Sequence, residues 1–261
     1  MIPKNCKITL FGDSISKGIV YEDNELKKLS ESATKLVAQH FGITIENLSF
    51  YGQTLKRLVQ KGTIDHYLSD IDEKDNNIAV ISLGGNDSDY DWKEVALSPK
   101  VDHMPKTPPK EFEKYLTDTI KKMKQKKIEV IITNIPPINS KRYFENVISK
   151  LADKDKVLEF LGGDIENIYR HQELFNLIIT KCAIQNNCTL LDIRQDLLWD
   201  KSCLDKICDD GIHPNRQGHV EIANSIIVQL EKLIRWYNKK CKIQIWQSCI
   251  FCITIGFGTV L

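Results

Sequence analysis

The sequence predicts a three-layer α/β/α fold, in which helices cover both faces of a five-stranded parallel sheet. Short apolar runs recur along the 261 residues, and longer stretches with helical periodicity lie between them. Such alternation forms parallel sheets because each crossover helix packs against a face of the sheet. The run Ile78–Leu83 is almost continuously apolar, which is typical of a strand buried on both faces.

The elements follow from these patterns in chain order. A first strand is predicted over Lys7–Phe11 and a helix over Leu26–Phe41, where the pattern is helical. A second strand, Ile43–Phe50, precedes a short helix that Thr54 is expected to cap. The remaining predicted strands are Ile78–Leu83, Ile128–Thr133 and Thr189–Ile193, and the remaining long helices are Pro108–Lys126, Asp164–Gln185 and Asn215–Tyr237.

Charge and cysteine content argue against several classes of function. A formal net charge of +1 gives no electrostatic reason to expect nucleic acid as a partner. The N-terminal residues lack the apolar stretch of a secretory signal, so a cytoplasmic location is expected. The cysteines show no paired metal spacing, since Cys249 and Cys252 form an isolated C-x-x-C, and no metal site is predicted. Cys203 and Cys208 are expected to be free thiols, although oxidation would allow them to bridge.

Residues capable of chemistry follow the predicted strands at their carboxyl ends. Ser14 follows the first strand, Gly52 the second and Asn86 the third. Asp210 and His213 lie beyond the fifth. Ligands of open parallel sheets bind outside the carboxyl ends of the strands. All five residues are therefore expected on one rim of the sheet.

Ser14, Asp210 and His213 are the residue types that nucleophilic hydrolysis requires. A serine hydroxyl is a weak nucleophile at neutral pH and needs a base to take its proton, and the base needs a third group to hold its tautomer. The spacing of Asp210 and His213 lets both side chains project from one turn. Taken singly, Ser14 could be a helix cap, His213 a loop histidine before Pro214, and Asn86 a turn residue. Their combination favours catalysis.

Four segments resemble, in order, the four sequence blocks of the SGNH/GDSL hydrolase family. They are Gly12-Asp-Ser14-Ile-Ser, the glycine at 52, Gly85-Asn86-Asp and Asp210-Gly-Ile-His213-Pro-Asn, and the resemblance extends over roughly residues 5–240. No Gly-x-Ser-x-Gly elbow surrounds Ser14, which argues against the α/β-hydrolase fold. The resemblance implies a flavodoxin-like sheet and ester hydrolysis through an acyl-enzyme, with no metal or cofactor.

The resemblance also implies a role for each residue of the site. Ser14 would attack the ester carbonyl, His213 would be the general base and acid, and Asp210 would orient the imidazole. The oxyanion hole would consist of the backbone N–H groups of Ser14 and Gly52 and the side-chain amide of Asn86. A glycine at 52 suits this role because a bare backbone can approach the substrate closely.

The second block departs from the family pattern. Many members read Asn-x-Gly-x-Ser-Gly where this chain has Asn47-Leu-Ser-Phe-Tyr-Gly52, so that Ser49 and Tyr51 change the surroundings of the donor glycine. Tyr51 is predicted either to shape the substrate pocket or to pack beneath it. Asp87, in the third block, is expected to fix its loop.

Two aromatic residues of the next loop, Tyr90 and Trp92, are also predicted to line the substrate pocket, with core or surface packing as the alternative. They belong to the stretch from Ser88 to Pro109, which is long for a connection between a strand and a helix. Such a stretch is either a lid or binding loop, or an irregular connection that covers the edge of the sheet.

The sequence thus predicts a cytoplasmic serine esterase whose partner is a small-molecule ester. By the tendency of the family that the chain resembles, the substrate is expected to carry a small acyl group, such as acetyl on a sugar or another alcohol. One alternative is a lipase or thioesterase of the same mechanism. Another is a non-catalytic ligand-binding module on the same fold. The sequence leaves the oligomeric state open.

Residues 1–240 are predicted to form the hydrolase domain, and residues 241–261 an apolar C-terminal tail. The segment Ile243–Leu261 carries no charge, and its length just reaches the ~20 residues that span a bilayer. Glutamines and glycines dilute its hydrophobicity. The tail is therefore predicted to be either an appendage or a weak membrane anchor, and membrane contact is expected only if it inserts.

Overall fold

The computed structural model describes residues 6–199 and 201–255, with side chains described as far as residue 236. The strands are β1 (Cys6–Gly12), β2 (Ile19–Glu22), β3 (Glu25–Lys28), β4 (Ile45–Asn47), β5 (Asn76–Ser82), β6 (Glu129–Thr133) and β7 (Thr189–Leu191). The helices before β6 are α1 (Ser14–Lys17), α2 (Ala33–Phe41), α3 (Leu55–Gln60), α4 (Thr63–Asp70), α5 (Trp92–Leu97) and α6 (Pro109–Gln125). The later helices are α7 (Ser140–Tyr143), α8 (Ser149–Leu151), α9 (Lys154–Phe160), α10 (Glu166–Gln185), α11 (Gln195–Leu198) and α12 (Arg216–Ile255), with a π-helical turn at Phe144–Ile148 and a 3₁₀ turn at Cys203–Lys206.

Five of the strands form a parallel sheet in the order β4-β1-β5-β6-β7. β1 pairs with β5, where Ile8 lies opposite Ile78, and with β4, where Ile8 lies opposite Ile45. The strand order reverses between β1 and β5, and ligands of such sheets bind at this switch point. The predicted five-stranded parallel sheet is confirmed.

Helices cover both faces of the sheet, as predicted. Successive residues of a strand point to opposite faces. On one face, Phe11 and Ile81 belong to the main core together with side chains from α3, α4, α6 and α10. On the other face, Ile8 and Val80 lie towards α2 and α12, and these two helices pack against each other.

The predicted helix over Leu26–Phe41 is wrong in its first part. β2 and β3 form an antiparallel hairpin there, with Glu22 opposite Glu25, and α2 accounts only for the second part. The turn residues Asp23 and Asn24 have φ values of +56° and +62°. Two-residue hairpin turns of this kind need positive φ, which Asn and Asp tolerate better than most residues.

Both edge strands are shorter than predicted. The second predicted strand, Ile43–Phe50, is reduced to β4, and the fifth ends at Leu191 instead of Ile193. Each edge strand has a partner on one side only, so fewer of its residues join the ladder. The cap at Thr54 is confirmed, because its hydroxyl accepts a hydrogen bond of 3.1 Å from the N–H of Arg57.

The last helix is longer than predicted. α12 runs from Arg216 to Ile255, so the backbone remains helical across the predicted boundary at residues 240–241. The end of the predicted tail, residues 256–261, lies outside the described residues. Among the described residues, no helix combines the length and the apolar character that crossing a bilayer requires. Appendage and anchor both remain predictions for the tail.

Candidate active site

Ser14 stands at the sharp turn between β1 and α1. The strand ends at Gly12, where an added Cβ would lie 2.5 Å from the Cβ of Ser16, so the turn is too tight for a side chain at this position. The carboxylate of Asp13 accepts a hydrogen bond of 2.9 Å from the N–H of Ile15 and so caps α1. This arrangement holds Ser14 at the carboxyl edge of the sheet with its side chain largely buried.

Asp210 and His213 project from a tight turn that precedes α12. One carboxylate oxygen of Asp210 accepts from the backbone N–H of Ile212 at 3.0 Å and of His213 at 3.1 Å. Gly211 has a φ of +75°, the left-handed region that glycine adopts without strain. The backbone O of Gly211 accepts from the N–H of Asn139 at 2.8 Å, which ties the turn to the loop after β6.

These two segments meet at Ser14. The Nε2 of His213 lies 2.9 Å from the Oγ of Ser14, and the Nδ1 of His213 lies 2.5 Å from the second carboxylate oxygen of Asp210. A carboxylate only accepts hydrogen bonds, so Nδ1 carries the proton and Nε2 of the neutral ring is left to accept from the serine hydroxyl. The structure thus brings together the three residues predicted to be catalytic, with Asp210 and His213 both buried.

Asn86 and Asp13 lie beside this group. The side-chain amide of Asn86 is 3.4 Å from the carboxylate of Asp13, and both residues line the same cavity as Ser14. Burial raises the pKa of Asp13 to about 6, although the N–H of Ile15 and the nearby His213 favour the charged form. The amide has two N–H groups, so the contact with Asp13 leaves one to donate elsewhere.

Asp87 connects the loop after β5 to the start of α3. Both of its carboxylate oxygens lie 3.0 Å from the N–H of Leu55, and one accepts at 2.6 Å from the hydroxyl of Thr107. Its complete burial raises its pKa to about 6. These contacts agree with the prediction that Asp87 fixes its loop. They also anchor the chain just after Gly52, whose φ is +60°.

A cavity of about 120 Å³ opens next to Ser14 and His213. Tyr90 and Trp92 line it, as the sequence predicts. Tyr51 does not: its side chain is exposed and lies against the ammonium group of Lys17, 5.5 Å from the ring centre, so the prediction of Tyr51 as a pocket residue is wrong.

Comparisons with known proteins show the family and the fold of the chain. A family model described as GDSL-like lipase/acylhydrolase matches residues 8–226. The chain belongs to this family. It is accordingly a hydrolase that acts on ester bonds. No curated protein gives a significant match in sequence.

Solved structures of acylhydrolases share the fold. The lipase/acylhydrolase from Enterococcus faecalis matches with a TM-score of 0.58 and 17% identity, over 87% of this chain and 95% of that one. The acetyl xylan esterase AlAXEase matches with a TM-score of 0.55 and 20% identity, over 84% and 97%. The psychrotrophic esterase EstA from Pseudoalteromonas sp., solved with monoethylphosphonate as inhibitor, matches with a TM-score of 0.52 and 18% identity, over 89% and 100%. At these identities the likeness shows the fold of the acylhydrolase, not its substrate.

One wall of the acylhydrolase cavity depends on Asp89, which the sequence interpretation did not identify. Its carboxylate accepts from the indole N–H of Trp92 at 2.9 Å, from the hydroxyl of Tyr143 at 2.9 Å and from the ammonium of Lys106 at 2.7 Å. Burial and the negative charge of Asp89 hold the pKa of Tyr143 well above 10, so its hydroxyl stays a donor. The partners are distant in sequence, and no local pattern indicates them.

Backbone hydrogen bonds join the two ends of the long stretch between Ser88 and Pro109. It contains α5, and the backbone N–H of Lys106 and of Thr107 donate to the carbonyl groups of Asp89 and Asp87 at 2.7 and 3.1 Å. These bonds return the end of the loop to its beginning. Of its residues, Ser88, Asp89, Tyr90 and Trp92 line the cavity.

His171, on α10, also lines the cavity and was not singled out from the sequence. Its Nδ1 lies 2.9 Å from the carbonyl oxygen of Ser88, and its ring lies 4.9 Å from that of Tyr90. Burial lowers the pKa of His171, which favours the neutral ring at neutral pH. Within the part of the chain that the structure describes, no group of three or more His, Cys, Asp or Glu side chains could hold a metal ion.

Proposed function

We propose that this acylhydrolase is a serine esterase in which Ser14, His213 and Asp210 act as nucleophile, general base and orienting carboxylate. The observation that carries the proposal is the unbroken chain of contacts from the Oγ of Ser14 through His213 to Asp210, at 2.9 and 2.5 Å. Nucleophile, base and orienting group within hydrogen-bond reach are the signature of this chemistry. The adjoining cavity can hold the acyl part of an ester.

The reaction proceeds in two steps. The Oγ of Ser14 attacks the carbonyl carbon while its proton moves to Nε2 of His213. The tetrahedral intermediate then expels the alcohol, which takes this proton, and an acyl-enzyme remains. Water repeats the attack with His213 as base and releases the carboxylic acid and free Ser14. General acid–base catalysis of this kind contributes ~10²–10⁴-fold, and Asp210 stabilises the imidazolium that forms in each step.

The negative charge on the former carbonyl oxygen needs donors that are already in position. We assign these to the backbone N–H groups of Ser14 and Gly52 and to the amide of Asn86. Asn86 borders the cavity beside Ser14, and its second amide N–H is not used by Asp13. Loss of one such donor typically costs ~10²–10³-fold in kcat.

The volume of the cavity favours a small acyl group. An apolar protein cavity of ~150 Å³ can hold a benzene molecule, so the 120 Å³ beside Ser14 matches a group of fewer carbon atoms. The acetyl group of an ester, whether the alcohol is a sugar or another alcohol, is within this limit. The acetyl xylan esterase among the fold neighbours is named for a reaction of this class.

The test compares hydrolysis of p-nitrophenyl esters from acetate to octanoate by the wild type and by Ser14→Ala. Turnover that is highest on acetate and is lost in Ser14→Ala is expected. Ser225→Ala is the matched control, since this buried serine donates to the backbone O of Asp192 and does not line the cavity. Highest activity on octanoate would instead indicate a lipase. No turnover and no labelling of Ser14 by a fluorophosphonate would leave a non-catalytic binding module.

A further inference from the structure

Most polar groups that line the cavity at Ser14, apart from the catalytic ones, are bonded to the protein itself. The indole, phenol and carboxylate groups of its wall bond to one another, as described above. The amide of Gln172 donates to the backbone O of Pro136 at 2.9 Å, and its carbonyl oxygen accepts from Arg194 at 3.2 Å. The hydroxyl of Ser88 donates to a backbone O at 2.8 Å. These groups are therefore engaged before a substrate binds.

His171 differs from these groups because one of its ring nitrogens has no partner. Its Nδ1 lies 2.9 Å from the backbone O of Ser88, and a carbonyl oxygen only accepts, so Nδ1 carries the proton. Burial lowers the pKa of His171 and favours the neutral ring, in which Nε2 is an acceptor. Nε2 is not sealed from solvent and bonds to no residue that the structure describes. Since the ring borders the cavity, Nε2 is the ring atom that can bond to a molecule held there.

Two aromatic neighbours help to fix the ring of His171. Its centre lies 4.9 Å from the ring centre of Tyr90 and 5.4 Å from that of Phe175. Together with the hydrogen bond to Ser88, these contacts fix the direction of the Nε2 lone pair. The hydroxyl of Tyr90 also has no partner among the described residues, but a hydroxyl both donates and accepts and so does not discriminate. The neutral ring of His171, in contrast, requires a donor.

The donor that suits Nε2 best is a neutral hydroxyl. A purely apolar acyl group that displaces water from Nε2 leaves this acceptor unpaired, which typically weakens binding about 5- to 150-fold. An ammonium group would be desolvated without a free counter-ion, because the carboxylate that acts on His171, that of Asp89, is already paired with Lys106 at 2.7 Å. A hydroxyl adds one oxygen atom to the acyl group, so it also suits a cavity of about 120 Å³.

We propose that His171 selects esters whose acyl group carries a hydroxyl, which donates a hydrogen bond to Nε2. The substrate class is a short hydroxyacyl ester, such as a glycoloyl or lactoyl ester. These groups differ from acetyl and propanoyl by one oxygen atom, so they keep within the size limit set by the cavity. The inference rests on the esterase function proposed above and specifies the acyl group for the same site.

The test compares kcat/KM for ethyl glycolate with that for ethyl acetate, and kcat/KM for ethyl lactate with that for ethyl propanoate. Each ratio is divided by the corresponding ratio for hydrolysis by hydroxide, which removes the intrinsic reactivity of the hydroxy ester. We expect the wild type to show a corrected preference of at least about tenfold for the hydroxy ester of one or both pairs. No corrected preference in either pair would overturn the inference.

Variants of His171 assign the preference to Nε2. His171→Asn retains an N–H group in place of Nδ1 for the bond to Ser88 but has no counterpart of Nε2, so the preference should disappear. His171→Gln can bring its side-chain oxygen to the place of Nε2 and should retain the preference. Ile168→Val changes an apolar residue of the same cavity and should alter kcat/KM for both esters of a pair alike. An unchanged preference in His171→Asn would show that His171 only holds Ser88, and would refute the assignment.

The same measurements separate this inference from the proposed function. Labelling of Ser14 by a fluorophosphonate reports the nucleophile in the wild type and in each variant. Labelling with turnover of the plain esters, but without a preference for the hydroxy esters, refutes the inference alone. Absence of both labelling and turnover in the wild type refutes the proposed function, and the inference falls with it.

Discussion

Gly211→Ala is the substitution that tests most directly how the Asp210–His213 turn is held. The φ of Gly211 is +75°, and an added Cβ would lie 2.5 Å from the backbone O of Asn139 and 2.5 Å from the backbone N of Tyr143. Both contacts are with backbone atoms, which cannot rotate away. The turn or the start of α7 must therefore shift to admit a methyl group.

The cost can be worked from these two effects. Left-handed backbone costs a residue with a Cβ roughly 1–2 kcal/mol, and overpacking typically costs another 1–3 kcal/mol. We expect Gly211→Ala to lower the free energy of unfolding by about 2–5 kcal/mol. The shift also moves His213 relative to Ser14, and a misplacement of ~1 Å can lower the rate about 10²-fold.

Urea denaturation measures the first effect, and kcat/KM for p-nitrophenyl acetate measures the second. Gly62→Ala is the matched control, because Gly62 has a φ of +69° but no atom within 4 Å of an added Cβ. It should cost only the backbone strain, about 1–2 kcal/mol, and leave kcat/KM unchanged. If Gly211→Ala were no less stable and no less active than Gly62→Ala, the proposed role of the turn would be refuted.

Three further substitutions test other parts of the site. Asn86→Ala should lower kcat for p-nitrophenyl acetate ~10²–10³-fold with little change in KM, and an unchanged kcat would exclude Asn86 as an oxyanion donor. Burial raises the pKa of Asp87 from 3.8 to about 6 in the folded protein. The proton on Asp87 therefore stabilises the folded state relative to the unfolded state fully below pH ~4, and this stabilisation is lost as the pH rises through 6. Urea titrations should therefore show that the wild type, relative to Asp87→Asn, loses about 3 kcal/mol of unfolding free energy between pH 4 and 7. If the difference in unfolding free energy between the two proteins did not change with pH, burial would not be the cause of the raised pKa. Trp92→Phe removes the hydrogen bond from the indole N–H to Asp89 and should lower the free energy of unfolding by roughly 1–3 kcal/mol in urea denaturation. An unchanged free energy of unfolding would show that this hydrogen bond does not stabilise the cavity wall.

The positions of Ser14, Asn86, Asp210 and His213 on one rim could be predicted because they depend on topology more than on detail. Each lies just after a strand or beyond the last one, and the carboxyl ends of parallel strands share one edge. An error of a few residues in a strand boundary leaves this conclusion unchanged. The sequence therefore indicated the meeting of Ser14 and His213, which are 199 positions apart.

Features that depend on single backbone angles or on distant partners could not be predicted in the same way. The β2–β3 hairpin was not predicted because its residues also have the spacing of a helix. The pair Asp23 and Asn24, which favours a two-residue turn, was the one local indication of the hairpin. The side chain of Tyr51 lies against Lys17 instead of the cavity, a choice that the sequence pattern does not encode. The carboxylate of Asp89 accepts a hydrogen bond from Tyr143, which is 54 positions away, and only the folded chain brings the two residues together.

The buried carboxylates of the site explain why the precise geometry is costly to maintain. Asp13 and Asp87 have no ion-pair partner among the described residues, and burial raises the pKa of each to about 6. In place of cations, each accepts from backbone N–H groups at the start of a helix, where the helix dipole also favours negative charge. Lysine or arginine partners would relieve the burial cost, but their long side chains would fix the loops less rigidly than backbone donors do. The arrangement therefore exchanges some stability at neutral pH for fixed positions of Ser14 and Asn86, as residues that hold an active site in place commonly do.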